Sequence, residues 1–92
     1  MTVSTENIAG DVGIKLFPNP AREKVHIQFS GDHAVHSIDF YAANGQKINK
    51  LAVKKGSTNL DVNTSQLSAG IYQIVFRGKG GAIVLSKRLI KV

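Results

Sequence analysis

Lys24-Val25-His26-Ile27-Gln28-Phe29 decides the fold class. Apolar residues fall at every second position, with Lys24, His26 and Gln28 between them. A period of two marks a strand with one face on a core and the other in water. Working outward, the same reading recurs. Residues 14–17 form a short strand that Pro18-Asn19-Pro20 ends, because two prolines remove two backbone donors and fix φ. Downstream, Ser30-Gly31-Asp32-His33 turns the chain into residues 34–42, where Ile38 and Phe40 share a face. As a hairpin pairing Phe29 with Ala34, this places His26 opposite Ser37 and His36 opposite Ile27. Asn44-Gly45 is the strongest turn signal and predicts a two-residue type I′ hairpin.

Residues 46–53 return from that turn. Their apolar parity switches between Ile48 and Leu51, which points to a bulge. Residues 58–62 align Leu60 with Val62, and residues 63–70 are a polar connection with one apolar plug, Leu67. Residues 71–76 are strongly β-prone. Gly78, Gly80 and Gly81 make the last loop mobile or tightly bent, and residues 82–92 are the final strand. No stretch sustains a 3.6-residue period. Strands recurring every about 8 to 12 residues predict an all-β sandwich of about seven antiparallel strands in two sheets. The small, polar residues 1–13 read as a flexible leader or linker, and residues 14–92 as the single domain.

Composition removes several function classes. The absence of cysteine excludes a disulfide scaffold, a thiolate metal site and a thiol nucleophile. No apolar run approaches the roughly 20 residues of a membrane-spanning helix, and residues 1–6 lack the basic and apolar regions of a secretory signal. Net charge is +6, and its distribution is uneven: Asp61 is the last acidic residue. Arg77, Lys79, Lys87, Arg88 and Lys91 follow it, a pattern that suits an anionic partner or a solvated edge.

Other chemistry is weakly marked. His26, His33 and His36 do not converge as zinc ligands must, since the hairpin pairing puts His26 and His36 on opposite faces. No G-x-S-x-G elbow, P-loop or H-E-x-x-H motif occurs, so no catalytic role and no cofactor are expected. Nucleic-acid binding by a basic β-barrel needs exposed stacking aromatics. Phe29, Phe40, Tyr72 and Phe76 keep core parity, leaving Tyr41 as the one expected exposed strand platform, so no nucleic acid is expected as partner.

Four features in one order carry a family resemblance. They are Leu16-Phe17-Pro18-Asn19-Pro20-Ala21; Ile38-Asp39-Phe40-Tyr41 leading into Asn44-Gly45-Gln46-Lys47; Leu60-Asp61-Val62 followed by Leu67-Ser68-Ala69-Gly70-Ile71-Tyr72; and Ser86-Lys87-Arg88-Leu89-Ile90-Lys91-Val92. Together, from about Ile14 to Val92, they resemble the type A C-terminal sorting domain of the type IX (Por) secretion system of Bacteroidetes. The resemblance implies an Ig-like seven-stranded β-sandwich at the C-terminus of an exported cargo. Its implied partners are the fused N-terminal cargo, the outer-membrane translocon, a shuttle protein and a sortase-like cysteine protease. It implies transit through the periplasm to the outer membrane and cell surface, then removal of the domain after export. The chain is then expected to be the tail of a longer precursor.

On that resemblance, Lys87, Arg88, Leu89, Ile90, Lys91 and Val92 are the expected recognition element, read by β-augmentation if the strand lies at an edge. Pro18, Asn19, Pro20, Asn44, Gly45, Gly70 and Tyr72 are the motif residues. Of these, Asn44, Gly45 and Gly70 are expected to shape turns, and Tyr72 to be core with its hydroxyl reaching an edge. Gly10, Asp11, Val12 and Gly13 are the expected cleavage neighbourhood, because an extended, exposed segment fits a protease cleft. A generic Ig-like or fibronectin-like spacer or binding module is the alternative.

Overall fold

The computed structural model describes residues 13–29 and 34–92. Gly10, Asp11 and Val12 of the expected cleavage neighbourhood, and the turn residues 30–33 with His33, lie outside the described residues. Among the described residues seven strands follow one another: β1 (Lys15–Phe17), β2 (Lys24–Gln28), β3 (Ser37–Ala42), β4 (Lys47–Ala52), β5 (Asn59–Asn63), β6 (Gly70–Arg77) and β7 (Ile83–Lys91). All strand pairs are antiparallel. They build a three-stranded sheet in the order β1-β2-β5 and a four-stranded sheet in the order β4-β3-β6-β7. This is an Ig-like sandwich, with the first, second and fifth strands facing the other four.

Period-two alternation explains the core. Val25 and Ile27 from β2 and Val62 from β5 meet Ile38, Phe40, Ile74, Phe76 and Leu89 from the opposite sheet. Phe29 and Phe76 pack edge to face with centroids 6.2 Å apart. Leu67, the expected plug, packs against this cluster.

The expected β2–β3 hairpin does not form. β2 pairs with β1 and β5, while β3 pairs with β4 and β6, so the chain changes sheets between Phe29 and Val35. Both of those residues are buried, which is the physical reason: each anchors its own layer of the core. His26 and His36 therefore stand in separate layers rather than on two faces of one hairpin. His36 continues β3 upstream, its N–H donating to Arg77 O while its carbonyl accepts from Val53 N.

The Asn44-Gly45 turn also differs from the expected type. Gly45 N donates to Ala42 O at 2.9 Å and Ala42 N donates to Gln46 O at 2.8 Å, which closes a three-residue loop. Gly45 takes the left-handed conformation, at φ +88°, and Asn44 Oδ1 accepts from Gln46 N. A type I turn followed by a left-handed glycine gives this pattern. The parity switch in β4 is a bulge: Phe40 faces Asn49 and Tyr41 faces Lys47, leaving Ile48 without an opposite residue. The last glycine loop is tightly bent, with a 3-10 turn over Lys79–Gly81. Gly78 is required by close approach: a Cβ there would sit 2.9 Å from Ala34 O.

Candidate recognition surface

β7 is an edge strand of the four-stranded sheet. Edge strands present unpaired backbone groups, and proteins blunt them by charge or by cover. β7 shows both. The Pro18-Asn19-Pro20 segment ends β1 as expected, then lies along the C-terminal half of β7. Asn19 Nδ2 donates to Arg88 O and Asn19 Oδ1 accepts from Ile90 N, each at 3.0 Å. A side-chain amide thus takes the place of a peptide group on the edge. The backbone follows: Ala21 N donates to Ile90 O at 2.7 Å, and Val92 N donates to Ala21 O at 3.0 Å, a parallel bridge opposite Lys91.

The strap is tied down at its other end. Buried Thr64 donates through its hydroxyl to Arg22 O at 3.2 Å, and its N–H donates to Glu23 O at 2.8 Å. Ala21 between these ties is fully buried. Proline suits a segment whose register is supplied by one side chain and one residue of backbone, because it offers no competing donor. The expectation of free backbone along residues 87–92 is therefore corrected. The outward groups from Arg88 O to Val92 N are already taken.

The four sequence features gather at one end of the sandwich. Gly70 opens β6 opposite Lys91, and Tyr72 lies opposite Leu89 on one side and Ala42 on the other. Tyr72 is buried, and its hydroxyl donates to Ser68 O at 2.6 Å, four residues upstream. This is the tyrosine corner of Ig-like sandwiches, at the start of the sixth strand. Gly45 of the β3–β4 turn, Tyr41, Ile71, Gln73 and Arg88 line one shallow groove on the outer face of the sheet. Ile71 and Ile90, paired on that face, are 52% and 38% exposed, an apolar strip beside the cation of Arg88.

Sequence reasoning missed a charged cluster on the same face. Asp39 is fully buried in mid-sheet although it reads as a solvent-facing residue between Ile38 and Phe40. Arg77 Nε donates to Asp39 Oδ2 at 2.7 Å, Arg77 Nη2 donates to the Tyr41 hydroxyl at 3.1 Å, and Lys47 Nζ lies 3.6 Å from Asp39. Asp39 Oδ1 has no hydrogen-bond partner among the described residues. Burial alone would raise the Asp39 pKa, but the Arg77 hydrogen bond and the charges of Lys47, Arg77 and Lys50 outweigh it and hold the carboxyl below its ordinary value. The same hydrogen bond raises Arg77. Only the strand pairing brings these residues together, so no local signal could have found them.

On the three-stranded sheet, Phe17, His26 and Asp61 form a row across β1, β2 and β5. The Phe17 ring lies 4.9 Å from the His26 ring, and His26 Nδ1 pairs with Asp61 Oδ1, which lowers the Asp61 pKa. Phe17 is 45% exposed, whereas Tyr41 is half-buried under Arg77. The expectation that Tyr41 is the one exposed strand aromatic is thus reversed. Phe17 stands opposite His26 on the solvent face of its sheet, while Leu16 beside it turns to the core. No three of His, Asp and Glu gather into a ligand set among the described residues.

Fold and site together define a class: a small Ig-like module whose final strand is strapped by a proline-rich segment. A profile of the family described as the secretion system C-terminal sorting domain matches residues 15–92. The chain belongs to this family of type IX secretion C-terminal sorting domains. No curated protein matches it significantly. Family membership implies the type IX machinery and an N-terminal cargo, and export toward the cell surface. Among the described residues no helix is long and apolar enough to cross a membrane.

Proposed function

We propose that this domain is a non-catalytic sorting signal that carries attached cargo across the outer membrane and is then removed by a sortase-like protease. The observation that supports this most is the convergence of the first three motif stretches on the fourth, which lies in β7. Pro18-Asn19-Pro20, Gly45, Gly70 and Tyr72 each touch that strand, its partner strand or the groove beside it. In this reading the segment from Lys87 to Val92 is what the translocon or its shuttle protein engages, with Arg88 and Lys91 steering an anionic surface. The transit compartment is the periplasm, and the cargo ends on the cell surface or in the medium.

Cleavage falls N-terminal to the sandwich. Gly10, Asp11, Val12 and Gly13 are the proposed neighbourhood, of which Gly13 is an exposed turn residue just ahead of buried Ile14. That buried side chain sets a boundary, since a protease cleft needs extended chain free of core contacts. The test is a fusion of residues 1–92 behind a signal peptide and a fluorescent reporter in a type IX-competent bacterium. Reporter at the surface or in the medium, shortened by the domain's mass, is the expected outcome. Full-length fusion held in the periplasm would instead favour a generic Ig-like spacer or binding module.

A further inference from the structure

We infer that β7 is read by addition of an extended, acidic receptor strand at Ser86–Arg88, upstream of the strap. The inference rests on the sorting reading and moves the contacted backbone to the upstream end of its site, taking in Ser86. Along β7 the groups turned away from β6 are those of the even-numbered residues, since Arg88 O, Ile90 N, Ile90 O and Val92 N all meet the strap. Antiparallel alternation turns the Ser86 N–H, the Ser86 C=O and the Arg88 N–H the same way. None of these three has a partner among the described residues. Asn19 therefore stops the open ladder at Arg88, and the bulge opposite Arg77 bounds it upstream.

The chemistry of the partner follows from what flanks the gap. The exposed Arg88 side chain stands on the outer face beside Gln73 and Ile71. Lys87 and Lys91 belong to the same strand, and no acidic residue follows Asp61. A second copy of β7 would set these cations against one another. An extended segment carrying a carboxylate on its outer face matches both the ladder and the charge. The strap then serves as a stop that fixes the register of the added strand.

The reporter fusion in a type IX-competent host tests this with four variants, of which Arg88→Lys keeps the charge. Ser86→Pro removes an outward donor and no bond to β6, which is the one setting where an edge strand tolerates proline. Ser86→Ala is its control, because it loses only the Ser86 Oγ contact with Gln73 Nε2, 3.0 Å long. Arg88→Glu reverses the charge and leaves the Arg88 carbonyl free to accept from Asn19. Surface reporter is expected to fall about tenfold or more with Ser86→Pro and Arg88→Glu, the loss for removing about 1.4 kcal/mol of binding. Ser86→Ala and Arg88→Lys are expected to export like the unaltered domain. Thermal melts of the purified domains check folding, and if Ser86→Pro melts early, Arg88→Glu decides. Normal export of a folded Ser86→Pro, or of Arg88→Glu, overturns the inference, as does equal loss with Ser86→Ala. Those results leave the sorting reading standing. Failure of the unaltered fusion to export defeats the sorting reading, and this inference with it.

Discussion

Asn19 does at one position what a strand does along its length. Its amide satisfies one donor and one acceptor of β7, so replacing it with alanine leaves both to water. Asn19→Ala is expected to cost about 1–2 kcal/mol in urea unfolding, the net worth of two such bonds. Gly78→Ala tests close approach: a Cβ there meets Ala34 O at 2.9 Å and Val84 Cγ2 at 3.1 Å, so the midpoint should fall. Asp39 supplies a pH signature. Its folded pKa is lowered, so its stabilisation is complete above the unfolded value of about 3.9 and is lost as pH falls through the folded value. Asp39→Asn should therefore be less stable than the parent at neutral pH. The gap should close as pH drops below about 4, measured by denaturant melts across the acid range. Asp61 is lowered too, through His26, so the acid limb of the variant flattens without vanishing.

At the scale of elements, β7 holds the fold together and, on the proposed reading, is also the recognised strand, two purposes that a truncation cannot separate. Leu89 is fully buried, and the strap binds Arg88 and Ile90, so removing residues 87–92 opens the core as well as the edge. Loss of export after that deletion would not isolate recognition, which is why outward-facing point variants are preferred. The tyrosine corner is separable: Tyr72→Phe keeps the ring and loses the bond to Ser68 O, for an expected cost of about 1 kcal/mol. The strands themselves were legible. The alternation in residues 24–29 overruns β2 by Phe29 alone, the β-prone run at residues 71–76 stops one residue short of β6 at each end, and the parity switch marked the bulge at Ile48. Pairing was less so. A short polar turn looks the same in sequence whether it closes a hairpin or carries the chain across the core, and only the burial of both Phe29 and Val35 separates the two. The turn type at Asn44-Gly45 was missed for a related reason: loop length depends on where pairing resumes, here at Ala42 and Gln46.

For the whole molecule, the sequence reading reached the family because its motifs span both sheets, yet it could not show why they belong together. In the structure they surround the same end of one strand. The polypeptide completes β1 and straps β7 before entering β2, so the segment after β1 and the last strand are hydrogen-bonded neighbours. On the proposed reading, recognition at β7 and cleavage ahead of β1 act on adjoining parts of a small domain. The most direct measurement compares the reporter fusion in a type IX-competent strain with the same strain after inactivation of the outer-membrane translocon. Surface or medium reporter in the first, and periplasmic full-length fusion in the second, is the predicted result. Equal reporter location in both strains would contradict the account.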